Sequence, residues 1–166
     1  IVSLVGSEMC IRDSHYPSNE KFQYWQPLTH MFMHGDLGHI FFNMFGLYMF
    51  GTPIEQMWGK SKFIFFYLST GFGAAALQLL LYNYQINNVY STLIGEGLTQ
   101  IDIESFFSSG DLPFSYINSV GRDNLISALS AFNGVMVGAS GALYGVLVAF
   151  AFLFPNARLM LLFPPI

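Results

Sequence analysis

The chain has 166 residues, 53% of them hydrophobic and only 10% charged, with a formal net charge of −4 at pH 7 and a mean hydropathy of +0.47. A soluble domain usually carries about 25% charged residues, so this deficit excludes an ordinary soluble domain and points to an all-α membrane protein. The absence of a basic patch argues against a nucleic-acid partner, and the single cysteine, Cys10, excludes an internal disulfide and a thiolate metal cluster.

Residues 1–14 (IVSLVGSEMCIRDS) have no amphipathic period and no apolar core long enough for a signal peptide. They resemble translated sequencing-adapter read-through and are expected to be an artefact. The natural sequence is then expected to begin upstream of His15. At the other end, residues 159–166 stop inside an apolar stretch, so the chain is expected to be truncated. Residues 15–27 mix polar groups with Tyr16, Phe22, Tyr24 and Trp25, which suits a loop at lipid-headgroup level.

Three apolar segments follow, at 28–50, 63–82 and 131–154, each about long enough to span a bilayer. Residues 51–62 read as a turn, with Pro53 and Gly59. Residues 84–130 read as a long polar loop, with one amphipathic helix near 123–131. Lys60, Lys62 and Arg158 lie in the short connections, which assigns those to the cytoplasm. The long loop holds Glu96, Asp102, Glu104, Asp111 and Asp123 against Arg122, which assigns it to the outside. His39 and Asn43 then share the outer half of the first span. Ser140 lies at a similar depth in the third, about two turns from its start.

These polar residues carry the interest. His39 and Asn43 are four apart, on one helix face. Polar groups are costly in a bilayer and usually face the protein interior. One reading is an interhelical hydrogen bond. The other is a pair of donors aimed at an oxygen that becomes negative. Ser140 and Tyr144 have the same spacing, among Gly134, Gly138, Gly141 and Gly145. Those glycines read either as a small-residue packing seam or as the setting of a nucleophile. His30, His34 and His39 suggest a metal site, but Asp36 is the one acidic residue near them, so no metal is expected. No organic cofactor is indicated.

Taken together, Trp25…Thr29-His30…His34-Gly35…His39-Ile40-Phe41-Phe42-Asn43, then Gly51…Glu55…Gly59, then Gly138-Ala139-Ser140-Gly141…Tyr144 resembles the rhomboid family of intramembrane serine proteases. The resemblance covers residues 22–166. It implies a rhomboid-like, polytopic transmembrane helical bundle, of which this chain holds core helices two to four. It also implies that Ser140 is the nucleophile and that His39, Asn43 and the backbone N–H of Ser140 form an oxyanion hole. By the same resemblance Gly138 and Gly141 flank the nucleophile, and Tyr144 packs on the catalytic histidine. Two positions depart from the family. Gln26 stands where many members have Arg, which puts a loop-stabilising contact in question. The family's general base, a histidine on the sixth core helix, matches none of the four histidines here and is expected beyond Ile166.

The resemblance implies cleavage of transmembrane protein substrates in the lipid bilayer by a Ser–His dyad. The adapter-like start and the compact core point to a bacterial inner (plasma) membrane. The chain alone is expected to be inactive. Two alternatives are a rhomboid-like pseudoprotease that binds transmembrane helices without cutting them, and a small transporter. The lack of inverted repeats with broken helices weighs against the transporter.

Overall fold

Asp36 starts the first long helix. Its backbone is extended (φ −154°, ψ 174°), and its carboxylate accepts a 2.8 Å hydrogen bond from His39 N. That satisfies one of the amides a helix leaves unpaired at its start. The computed structural model describes residues 15–134, 136 and 138–157, apart from the side chain of residue 114. The readings for residues 1–14, Arg158 and residues 159–166 lie outside the described residues.

Among the described residues before Asp36 there are a short helix α1 (Gln26–Thr29), a 3-10 turn (His30–Phe32), and extended backbone at Met33. The helix expected from residue 28 therefore begins at Leu37, as α2 (Leu37–Gly46). It continues through a wide π turn (Leu47–Gly51) into α3 (Thr52–Trp58), across the turn expected at 51–62. The register break falls just before Pro53, which has no amide to donate to the preceding turn. Gly59 ends α3 at φ +81°, a conformation that side chains rarely adopt.

Helix α4 (Lys60–Gly95) has 36 residues, about 54 Å at about 1.5 Å per residue. A bilayer's hydrocarbon core is about 30 Å thick. The expected span at 63–82 is thus the first part of a much longer rod. Among the described residues, α4 is the one helix long and apolar enough to cross a membrane.

The long loop expected at 84–130 is largely helical instead. It comprises the end of α4, then α5 (Gln100–Ser109), α6 (Phe114–Val120) and α7 (Arg122–Asn133). Ile86, Val89 and Leu93 form one buried stripe on α4. They share a core with Leu98, Ile103, Phe106, Phe107, Leu125 and Ala128. The asparagines and serines between them lie on exposed faces, which is why the composition resembles a loop. We call this unit the cap.

Thr99 starts α5 with a capping box. The Asp102 carboxylate accepts from Thr99 N at 3.0 Å, while Thr99 Oγ1 accepts from Asp102 N at 3.3 Å. The Thr99 hydroxyl and amide hold the Asp102 carboxyl below its ordinary value. A folded pKa below the unfolded one stabilises above the unfolded value and is lost as pH falls through the folded one. Asp102→Asn should therefore lower the melting temperature at neutral pH. The gap from the parent should close as the pH drops below 3.8. A gap that stays constant with pH would contradict this role.

The leading segment is tied to the cap. Tyr16 Oη donates to Asn83 Oδ1 at 2.8 Å, and Asn19 Nδ2 donates to the Phe132 carbonyl at 2.8 Å. Within this segment Gln26 is fully buried. Its Oε1 accepts from His15 N at 3.2 Å and Gln23 N at 3.1 Å, and its Nε2 donates to the Lys21 carbonyl at 2.9 Å. Gln26 thus makes the loop-stabilising contacts that the missing arginine had put in question.

The last described helix, α8 (Ser140–Leu153), crosses α4 at backbone distance. A Cβ on Gly141 would stand 2.8 Å from Ala74 Cβ, and one on Gly145 would stand 2.6 Å from Thr70 Cβ. On its other side α8 meets α2, where a Cβ on Gly46 would lie 3.0 Å from Leu143 Cδ2. Gly141 and Gly145 therefore form the small-residue seam. Gly134 and Gly138 do not belong to it, because α7 ends at Asn133 and neither glycine is helical.

Candidate functional site

Ser140 is the first residue of α8, rather than two turns inside a helix that starts at 131. The first helical bond runs from Leu143 N to the Ala139 carbonyl at 2.9 Å. The amides of Ser140, Gly141 and Ala142 therefore have no helical acceptor, and they form the positive end of the helix dipole. A serine placed here sits where negative charge is favoured.

The approach to Ser140 is set by Gly138. Its amide donates to the His30 carbonyl at 2.8 Å, which pins the segment to the turn before α2. Its φ is +97°. A Cβ there would stand 2.8 Å from both Cε1 and Nε2 of His39, and 3.5 Å from Asn43 Nδ2. The main chain just before Ser140 therefore presses directly on the imidazole and amide of α2. His39 and Asn43, one turn apart on α2, meet it side by side.

Asn43 is 5% exposed, and its Nδ2 makes no hydrogen bond among the described residues. A buried donor without a partner costs about 1–3 kcal/mol, and natural structures keep few of them. Here the donor lies beside the backbone that leads to Ser140. It is therefore available to an oxygen that arrives with a ligand.

Behind Ser140 lies a cavity of about 320 Å³. Its polar lining comes from Ser140, His30, Gln78 and Tyr82, and its floor from small residues of α4 such as Ala74. The space admits several waters at about 30 Å³ each. His30 Nδ1 is engaged by the Gln26 carbonyl at 3.2 Å. Among the described residues, no hydrogen bond joins Ser140 Oγ to an imidazole.

The structure thus brings together Ser140, Gly138, His39 and Asn43. Gly141 faces α4 instead. Tyr144, one turn beyond Ser140, is 69% exposed and stacks on no other described ring. Gln78 and Tyr82 entered the cavity lining without having been singled out from the sequence. Gln78 offered the same signal as Asn43, an amide inside an apolar helix.

The family model for the Rhomboid domain matches residues 21–96 and 98–166. RHOMBOID-like protein 6, mitochondrial, of Arabidopsis thaliana is 37% identical over 62 residues, covering 37% of this chain and 19% of that protein. Rhomboid protease GluP of Bacillus subtilis (strain 168) is 35% identical over 49 residues, covering 30% and 10%. Rhomboid protein 1, mitochondrial, of Saccharomyces cerevisiae is 27% identical over 135 residues, covering 81% and 27%. The chain thus spans less than a third of the length of each of these relatives. No solved structure matches.

Proposed function

The chain belongs to the rhomboid family, and from that premise we propose that it carries the nucleophile and oxyanion-binding half of an intramembrane serine protease. The observation that carries this reading is the buried, unpartnered Asn43 Nδ2 beside Gly138, two residues from Ser140. In this reading Ser140 Oγ attacks the carbonyl carbon of a peptide bond. The carbonyl oxygen becomes negative and accepts hydrogen bonds from Asn43 Nδ2, His39 and the Ser140 amide.

Serine is a weak nucleophile at its free pKa and needs a base. That base is the histidine of the sixth core helix that the resemblance implies, outside these 166 residues. It takes the Ser140 proton and gives it to the leaving amine. The acyl-enzyme is then hydrolysed by a water reaching Ser140 from the cavity it shares with His30 and Gln78. The substrates are transmembrane segments that unwind locally, with small residues at the cut where the main chain at Gly138 leaves little room. The setting in this reading is a bacterial plasma membrane; among the relatives GluP is from a bacterium, while the Arabidopsis and yeast proteins are mitochondrial.

The test is a fluorophosphonate probe applied to the full-length gene product and to the 166-residue chain, both in detergent. Labelling is expected on Ser140 of the full-length protein and is expected to vanish in Ser140→Ala. The chain alone should stay unlabelled. A full-length protein that neither labels nor cuts a transmembrane substrate would replace this reading with the pseudoprotease.

A further inference from the structure

We propose that residues 34–36 are a positioning device that fixes the His39 imidazole as the tautomer protonated on Nε2, with the Gly35 amide as the deciding group. The inference rests on the reading of His39 as an oxyanion donor and specifies the atom that donates.

Three consecutive residues converge on His39. The Asp36 carboxylate accepts from His39 N at 2.8 Å and so fixes where the residue sits on α2. The Gly35 amide donates to His39 Nδ1 at 3.5 Å. The His34 ring stands edge-on to the His39 ring, with centroids 5.3 Å apart and planes at 75°. His34 is itself buried, 8% exposed.

A neutral imidazole has one N–H and one lone pair. A nitrogen that accepts from Gly35 must carry the lone pair, so the hydrogen is on Nε2. Nε2 also lies on the edge of the ring that faces Gly138, where it and Cε1 are each 2.8 Å from where a Cβ would stand. In the other tautomer Nδ1–H would confront the Gly35 N–H, and a lone pair would face the developing oxyanion. The loop before α2 thus decides whether His39 attracts or repels that charge. Neither Ser140 nor the absent base takes part in the choice.

The experiment is nitrogen NMR of the protein labelled with ¹⁵N-histidine in lipid nanodiscs. His39 is assigned by its loss in His39→Gln. The parent should show Nε2 protonated and Nδ1 bare. Gly35→Ala keeps the amide, and a Cβ there would lie 3.9 Å from Nδ1, an ordinary contact, so this spectrum should not change. Gly35→Pro removes the amide and should lose the bare-Nδ1 signal or split it between tautomers. Two results would overturn the proposal. One is a parent protonated on Nδ1. The other is a folded Gly35→Pro with the parental spectrum. If Gly35→Pro does not fold, the parent spectrum decides alone. The readout needs no turnover, so a protein with the expected tautomer that fails to label with fluorophosphonate would sink the protease reading and leave this one standing.

Discussion

Gly138→Ala in the full-length enzyme should lower kcat by roughly two to three orders of magnitude. Losing one oxyanion donor costs about 10²–10³ in kcat, and this substitution displaces His39. The added methyl would stand 2.8 Å from His39 Cε1 and Nε2 and 3.5 Å from Asn43 Nδ2. The φ of +97° adds about 1–2 kcal/mol of strain for any residue with a Cβ. Either the ring leaves its place or the Gly138 backbone does, and then its bond to the His30 carbonyl is lost. Measuring kcat on a transmembrane substrate beside the melting temperature separates lost chemistry from lost fold. Gly73→Ala serves as the control, because nothing lies within 4 Å of a Cβ there. A Gly138→Ala enzyme that folds and keeps the parental kcat would remove His39 from the mechanism.

Gln26→Leu should destabilise the protein by at least about 1 kcal/mol. Leucine nearly matches the volume, so the effect is polar. The substitution removes the acceptor of the buried His15 amide and of the part-buried Gln23 amide, and the donor to the part-buried Lys21 carbonyl. A buried group left unpaired costs about 1–3 kcal/mol, and one that water reaches costs less. Unfolding in denaturant, read by tryptophan fluorescence, gives the difference directly, since Trp25 adjoins the site. A loss below about 1 kcal/mol would mean that water replaces the side chain, and Gln26 would then be a passenger. The His30 ring also leans on the Gln26 backbone, so the loop and the cavity behind Ser140 should loosen together.

The sequence made the polar outliers easy to find and the helix boundaries hard. Ser140, His39 and Asn43 stand out because polar groups are rare in apolar runs, and the structure brings them to one place. The all-α expectation holds as well. What the pattern concealed is the cap. Ile86, Val89 and Leu93 bury one narrow stripe, so the segment around them reads as polar even though it is helical. The Thr99–Asp102 capping box and Gly110, at φ +80°, were signals for α5 that composition alone does not weigh.

The start of α8 was hidden for a different reason. Nothing in the composition of 131–139 separates helix from extended chain, and a positive φ at Gly138 cannot be read from the letter G. The same glycines therefore suggested a longer seam than the one that Gly141 and Gly145 make against α4. Asp36 was legible as a cap only in hindsight, since the apolar run continues on both sides of it.

Helix α4 is unbroken from the crossing at Thr70 and Ala74 to Ile86, where the cap begins to pack on it. That distance is about 20 Å at about 1.5 Å per residue. With no joint along it, the rod acts as a stiff lever whose fulcrum is the seam with α8. A tilt of only one degree at the fulcrum displaces the near edge of the cap by about 0.4 Å on that length. The converse also holds. Any load taken up by the cap reaches Gly141 and Gly145 as torque, on the helix whose first residue is Ser140.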